Sequence, residues 1–157
     1  MGYSIATLPE LPDLTALLKL SLFSDLEDGD IARLAPLLEC GQVSAGECIR
    51  QQGDASSRLF IVAEGNIQLK QPGNPEPIED LYRGDSFGLL SILFPCEACI
   101  EAYSAEDSVV IILDGTALRT FGASDPQLYL QILQCILKEL TPVVNEALPV
   151  ISRLCLD

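Results

Sequence analysis

Cys96-Glu97-Ala98-Cys99 sets two thiols three positions apart, a spacing that suits a dithiol switch or one half of a metal site. A structural zinc site needs two more ligands, and the chain has no His to offer. The other cysteines stand at 40, 48, 135 and 155, and the gap of eight between Cys40 and Cys48 is not diagnostic of a ligand pair. No metal and no cofactor are therefore expected. The lack of His also removes Ser-His-Asp and Cys-His nucleophiles and every imidazole general base. Glu97 with Glu101, and Glu106 with Asp107, are paired carboxylates on paper. No nucleophile or glycine-rich phosphate loop accompanies them, so they read as solvated faces, and the chain reads as a non-enzyme.

The elements that carry these residues must come from one chain of 157 residues, a length that suits a single domain with a sizeable core. Acids number 23 and bases 9, so the net charge is −14. Phosphate backbones and anionic membrane surfaces both call for clustered Lys and Arg, which argues against nucleic acid and membrane partners. Hydrophobic residues make up 48% of the sequence, which excludes a disordered chain. The opening Met1-Gly-Tyr-Ser-Ile-Ala-Thr-Leu-Pro-Glu lacks the basic residue and apolar run of a secretory signal. The expectation is a cytoplasmic protein with reduced thiols. No stretch approaches the ~20 apolar residues of a membrane span.

Residues 1–13, with Pro9 and Pro12, read as a loose lead-in. Leu14, Leu17, Leu18 and Leu22 have helical spacing, and Phe23-Ser-Asp-Leu ends that helix. A second short helix is expected from Ile31, with Asp28-Gly29-Asp30 near its cap and Gly41 closing it. From residue 42 the texture becomes β: short strands around Gly46 and Gly53, then Arg58–Glu64, then Asn66–Lys70 with alternation of period two. Gln71-Pro-Gly-Asn-Pro-Glu-Pro77 must be an exposed hairpin loop. Strands follow at 78–82, 99–103 and 108–113, while Phe87–Phe94 is apolar with no clear period. After Asp114-Gly115 one short helical turn is expected, and Ser124-Asp125-Pro126 starts a longer helix. Pro142 is expected to interrupt it, with helical spacing resuming at 143, 144, 147, 148, 150, 151 and 154. Turns every 8–12 residues suggest a sandwich, barrel or jelly roll with helices at both ends. The expected division is 1–19 for the lead-in and first helix, 20–123 for the roll with its leading helices, and 124–157 for the C-terminal helices.

Short motifs follow one another in order: Leu22-Phe23-x-x-Leu26, Ala45-Gly46-x-x-Ile49-x-x-Gln52-Gly53-Asp54, Leu59-Phe60-Ile61-Val62-x-x-Gly65-x-Ile67-x-Leu69 and Gly84-Asp85-x-Phe87-Gly88. This ordered series resembles the cyclic nucleotide-binding domain family, the sensor module of the catabolite activator protein, protein kinase regulatory subunits and cyclic-nucleotide-gated channels. The resemblance spans about residues 20–140. It implies a mainly β fold, a jelly-roll-like double-stranded β-helix (the β-roll) of eight strands with flanking helices. It also implies a phosphate-binding cassette running Phe-Gly-Glu, then Pro-Arg-x-Ala-Ser/Thr, whose glutamate takes the ribose hydroxyl and whose arginine takes the cyclic phosphate. Backbone amides of the short cassette helix complete that anion site.

The cassette positions here are Phe87, Gly88, Leu89, Leu90, Ser91, Cys96, Glu97, Ala98 and Cys99. Leu89 stands in the glutamate slot. Aligned on Pro95 and Ala98, Cys96 stands in the arginine slot and Cys99 in the Ser/Thr slot. With strand pairing starting at Ala98, Cys99 points inward and Cys96 sits in a loop. Losing two charge-assisted contacts weakens binding by roughly 3–6 kcal/mol, on the order of 10²–10⁴-fold. Arg50, Arg58, Lys70 and Arg83 are the cations available as substitutes. The leading expectation is a regulatory module that does not bind cAMP or cGMP in the usual way. It acts through contacts with an unidentified protein partner, and through a homodimer formed by the C-terminal helices. The first alternative is a small-ligand sensor with a re-specified, more apolar pocket. The second is a thiol redox sensor using Cys96 and Cys99.

Overall fold

The computed structural model describes residues 4–6, 13–94 and 96–156. In chain order the elements are β1 (Ser4–Ala6), α1 (Leu14–Leu20), α2 (Asp28–Leu34), a 3₁₀ turn (Ala35–Leu37), β2 (Leu38–Val43), β3 (Cys48–Arg50), β4 (Ala55–Ser56), β5 (Arg58–Glu64), β6 (Ile67–Lys70) and β7 (Pro77–Leu81). They continue with β8 (Ser86–Phe87), α3 (Leu89–Leu93), β9 (Cys96–Glu97), β10 (Glu101–Ser104), β11 (Ser108–Asp114), α4 (Gly115–Ser124) and α5 (Pro126–Leu156). The strands form a five-stranded sheet in the order β1-β2-β11-β5-β8, a four-stranded sheet in the order β3-β10-β6-β7, and the small pair β4-β9. Every described pairing is antiparallel.

Strands β5 and β11 are apolar at consecutive positions because both of their faces are covered. Phe60, Val62, Val110 and Ile112 point into the roll, where they meet Val43, Ile49, Ile67, Leu81, Phe87 and Ala102. Leu59, Ile61, Ala63, Ile111 and Leu113 point the other way and pack against the helices. The second core takes Leu17 and Leu18 from α1, Ile31 and Leu34 from α2, Leu118 from α4, and Leu128, Ile132, Ile136 and Leu140 from α5. A strand buried on both faces loses its period-two signature, which is why these runs read as solid hydrophobic blocks in the sequence.

Several expectations are corrected. The lead-in includes a strand, since Ser4–Ala6 pairs with Cys40–Gln42 of β2. Gly41 does not cap a helix; it sits inside β2, opposite Val110. The helix α2 stops at Leu34, and the 3₁₀ turn holding Pro36 leads directly into β2, where Glu39 and Gln42 are the exposed positions. The segment after Asp114 is a ten-residue helix rather than one turn, with the Asp114 carboxylate accepting from the Thr116 amide at 3.0 Å. Finally, α5 is continuous from Pro126 to Leu156. Pro142 removes the backbone donor that would meet the Lys138 carbonyl, yet the helix continues through it, and one residue earlier Thr141 Oγ1 donates to the Leu137 carbonyl at 2.9 Å. The side chains at 143, 144, 147, 148, 150, 151 and 154 lie outside the described residues.

Ion pairs tie the helices together at the surface. Arg33 bridges Asp30 at 2.7 Å and Asp125 at the start of α5, and Lys138 of α5 reaches Asp25 at 2.8 Å. Exposed pairs of this kind contribute little, about 0–1 kcal/mol each. Apolar burial outweighs them, and Ile111 is central to it, fully buried on the middle strand of the larger sheet. Ile111→Ala is expected to lower unfolding free energy by about 2–5 kcal/mol, read from urea denaturation followed by circular dichroism.

Candidate functional site

The cassette forms a cavity of about 300 Å³ lined by Arg50, Leu69, Ser86, Phe87, Gly88, Leu89, Leu90, Ser91, Cys96, Glu97, Cys99, Ile100, Ala102 and Leu140. Three features place it. Phe87 stacks on Phe60 of β5 at a centroid distance of 4.7 Å, which fixes the strand leading into the cassette. Gly88 follows at φ 86°, and a Cβ there would lie 2.4 Å from the Arg58 carbonyl oxygen, so only glycine fits between cassette and β5. The far side is pinned by Ala55↔Glu97 and Ser56↔Cys96, and by the Ala98 amide donating to the Asp54 carbonyl at 3.0 Å.

Eight of the nine cassette residues expected from the sequence line this cavity: Phe87, Gly88, Leu89, Leu90, Ser91, Cys96, Glu97 and Cys99. Ala98 is buried behind them. Pro95 lies outside the described residues. One local expectation is corrected. Strand pairing begins at Cys96, two residues earlier than expected, so Cys96 is on a strand instead of in a loop. Ala98 then takes the inward position, and Cys99 is exposed instead of inward.

The positive charge in the cavity comes from outside the cassette. Of the four candidate cations only Arg50 lines it. Its Nη2 donates to Ser91 Oγ at 2.6 Å, and Ser91 is almost fully buried. Arg50 Nε is buried with no hydrogen-bond partner among the described residues. Arg83 is used elsewhere, donating to the Ala63 carbonyl at 3.0 Å, and Lys70 sits 5.1 Å from the Tyr103 ring centre. Arg58 lines a second, polar cavity of about 770 Å³ with Asp54, Ser56, Ser57, Asp114 and Thr116, which Arg50 also borders. Sequence reasoning named Arg50 but could not rank it. The signal was its place in β3, two residues after Cys48, in a strand that pairs with Ala102 and Tyr103 of β10 and so runs along the cavity wall. Leu140, the contribution of α5, carried no such signal.

None of the five described cysteines is in a disulfide. Cys96 Sγ lies 3.8 Å from Ser91 Oγ. Burial pushes the Cys48 thiol above its ordinary value, with a hydrogen bond from Tyr103 acting the other way, and burial likewise raises Cys135. No helix among the described residues is long and apolar enough to cross a membrane.

The chain is thus a β-roll flanked by helices, with a largely apolar cavity bounded by a short helix and a return strand. The family model for the cyclic nucleotide-binding domain matches residues 41–125. The chain belongs to the cyclic nucleotide-binding domain family, whose members are regulatory modules. It is 34% identical over 95 residues to a cAMP-dependent protein kinase regulatory subunit of Mycosarcoma maydis, covering 58% of this chain and 18% of that protein. It is 26% identical over 133 residues to a CRP-like cAMP-activated global transcriptional regulator of Mycobacterium tuberculosis, covering 82% of this chain and 59% of that one. It thus spans only part of the length of these curated relatives. Among solved structures, a cyclic nucleotide-binding domain from Methylobacillus flagellatus superimposes with TM-score 0.72 at 20% identity, over 89% of this chain and 80% of that one. The catabolite activator protein of Thermus thermophilus does so with TM-score 0.67 at 23% identity, over 83% and 62%. Both likenesses show the β-roll fold.

The thiol environments predict an order of reactivity. With iodoacetamide at neutral pH, Cys96 and Cys99 label first, Cys48 at least about tenfold more slowly, and Cys40 and Cys135 only on unfolding, as read by peptide mass spectrometry.

Proposed function

We propose that this chain is a non-catalytic regulatory module that no longer anchors cAMP or cGMP in the family's usual way and acts through protein contacts, the first of them with a second copy of itself. The observation that carries this reading is the placement of Leu89 and Cys96 on the cavity wall, at the positions where the family pattern carries glutamate and arginine. An isobutyl group cannot accept from a ribose hydroxyl, and a thiol cannot pair with a phosphate. The strongly acidic composition, at −14, supports a protein partner over nucleic acid or membrane, and a cytoplasmic setting suits the five described thiols, which form no disulfide.

The self-contact lies on α5. Leu130 and Leu137 are each 56% exposed and seven residues apart. The sequence continues that series with Val144 and Ile151, the heptad repeat of a two-stranded coiled coil. The alternative thiol reading keeps one support, the exposure of both Cys96 and Cys99 at the cavity.

Calorimetric titration of the reduced protein with cAMP and cGMP is expected to show no saturable heat below about millimolar ligand, and a micromolar Kd would overturn the cassette reading. In sedimentation, the unaltered chain is expected as a dimer and Leu137→Asp as a monomer; an unaltered chain that is monomeric at high concentration would remove the self-association.

A further inference from the structure

We propose that the cassette cavity takes an organic carboxylate with an apolar body, the carboxylate held by Arg50 and the body lying against Leu69, Leu89 and Leu140. The inference deepens the proposed function and rests on its reading that the cassette no longer anchors a cyclic nucleotide.

Arg50 is a guanidinium without an anion. No carboxylate among the described residues lies within ion-pair distance of it. One of its nitrogens is spent on Ser91 at 2.6 Å, and its Nε is buried without a partner. A buried donor left unmade is costly, and an incomplete cation more so, so such a group marks a place where something else completes the shell. The planar guanidinium presents parallel N–H donors whose geometry matches the two oxygens of a carboxylate. Ser91 Oγ accepts from Arg50 and keeps its own hydrogen. Beyond Arg50, its side-chain neighbour at hydrogen-bonding range among the described residues is Cys96 Sγ at 3.8 Å, a weak acceptor, so the hydroxyl is available to a ligand oxygen.

The rest of the cavity selects the ligand's body. Apart from Arg50, Glu97, Ser86, Ser91 and the two thiols, its wall is apolar, and Leu89 offers no acceptor where the family pattern puts its glutamate. At about 300 Å³ it is at the small end for a ligand site. Glu97 is exposed on the same wall and adds a negative charge. That charge disfavours a dianionic phosphate monoester more than a singly charged carboxylate.

The test uses the full reduced chain with octanoate as probe, octanamide as its uncharged match, and cAMP in parallel, by calorimetry and thermal melting. Octanoate is expected to bind saturably at one site and raise the Tm, with octanamide at least about tenfold weaker. Arg50→Gln is expected to lose about tenfold or more in octanoate affinity, and Leu89→Glu to weaken it through like-charge repulsion. The ratio of octanoate to octanamide on the unaltered chain reads the same anchor should Arg50→Gln fail to fold. Equal affinity for the two probes, no saturable octanoate heat, or an Arg50→Gln variant that binds octanoate unchanged would each overturn the inference. Absence of both cAMP and octanoate binding overturns this inference alone, whereas micromolar cAMP binding overturns the cassette reading beneath it.

Discussion

The antiparallel pair of β5 and β11 is the constraint on which everything else in this molecule hangs. Val110 faces Val62 and Ile112 faces Phe60 inside the roll, while Ile111 faces Ile61 and Leu113 faces Leu59 beneath the helices. A slip of one residue would exchange the two sets, and both cores would lose their volumes together. The same register sets the cassette. Phe60 of β5 carries the stacked Phe87, and the Arg58 carbonyl is the surface against which Gly88 is pressed. The cassette cavity therefore inherits its position from a strand pair that contributes no residue to its wall.

Within that frame the electrostatics have moved. The family pattern places its charges on the cassette itself, one on the short helix and one on the return strand. Here the short helix offers leucines and a buried serine, and the return strand offers a thiol and an exposed glutamate. The guanidinium instead comes from β3, across the wall, and is steadied by Ser91. The backbone of Arg50 is fixed opposite Ala102 by the β3–β10 pairing, beside a register shift between Ala102 and Tyr103. Where the family pattern sets two polar anchors, this cavity carries one guanidinium and a largely apolar wall.

Much of the fold was legible because its signals are local. Gly46 and Gly53 have positive φ between the short strands where the sequence placed them, and the proline loop after Lys70 joins β6 to β7. The misreadings occurred where a local signal competed with tertiary context. Gly41 has the look of a helix cap, and the strand around it gains its identity from β1 and β11 on either side. Pro142 has the look of a helix breaker, and α5 is held before it by buried Leu128, Ile132, Ile136 and Leu140. The site was legible as a set of positions but not as a charge distribution. Leu89 and Cys96 mark where the family pattern is absent, whereas the place of Arg50 on the cavity wall becomes visible only when β3, β10 and the cassette are brought together.

Leu140 connects the cavity to the outer surface of the molecule. It lines the cavity and belongs to the same buried cluster as Leu17, Leu18 and Phe23, and it is on the helix that exposes Leu130 and Leu137. The helix is rigid along its axis, so a displacement at Leu140 is felt one turn earlier at Leu137. Were the proposed ligand body seated against Leu140, any difference in its affinity between two positions of α5 would be felt equally by a partner on the exposed leucines, since coupling is reciprocal. The ion pairs at this helix, Lys138 with Asp25 and Arg33 with Asp125 just before its start, lie at the surface and contribute little to its seating. In this chain α5 serves both places at once: Leu140 lines the cavity, and Leu130 and Leu137 stand exposed on the outer surface of the same helix.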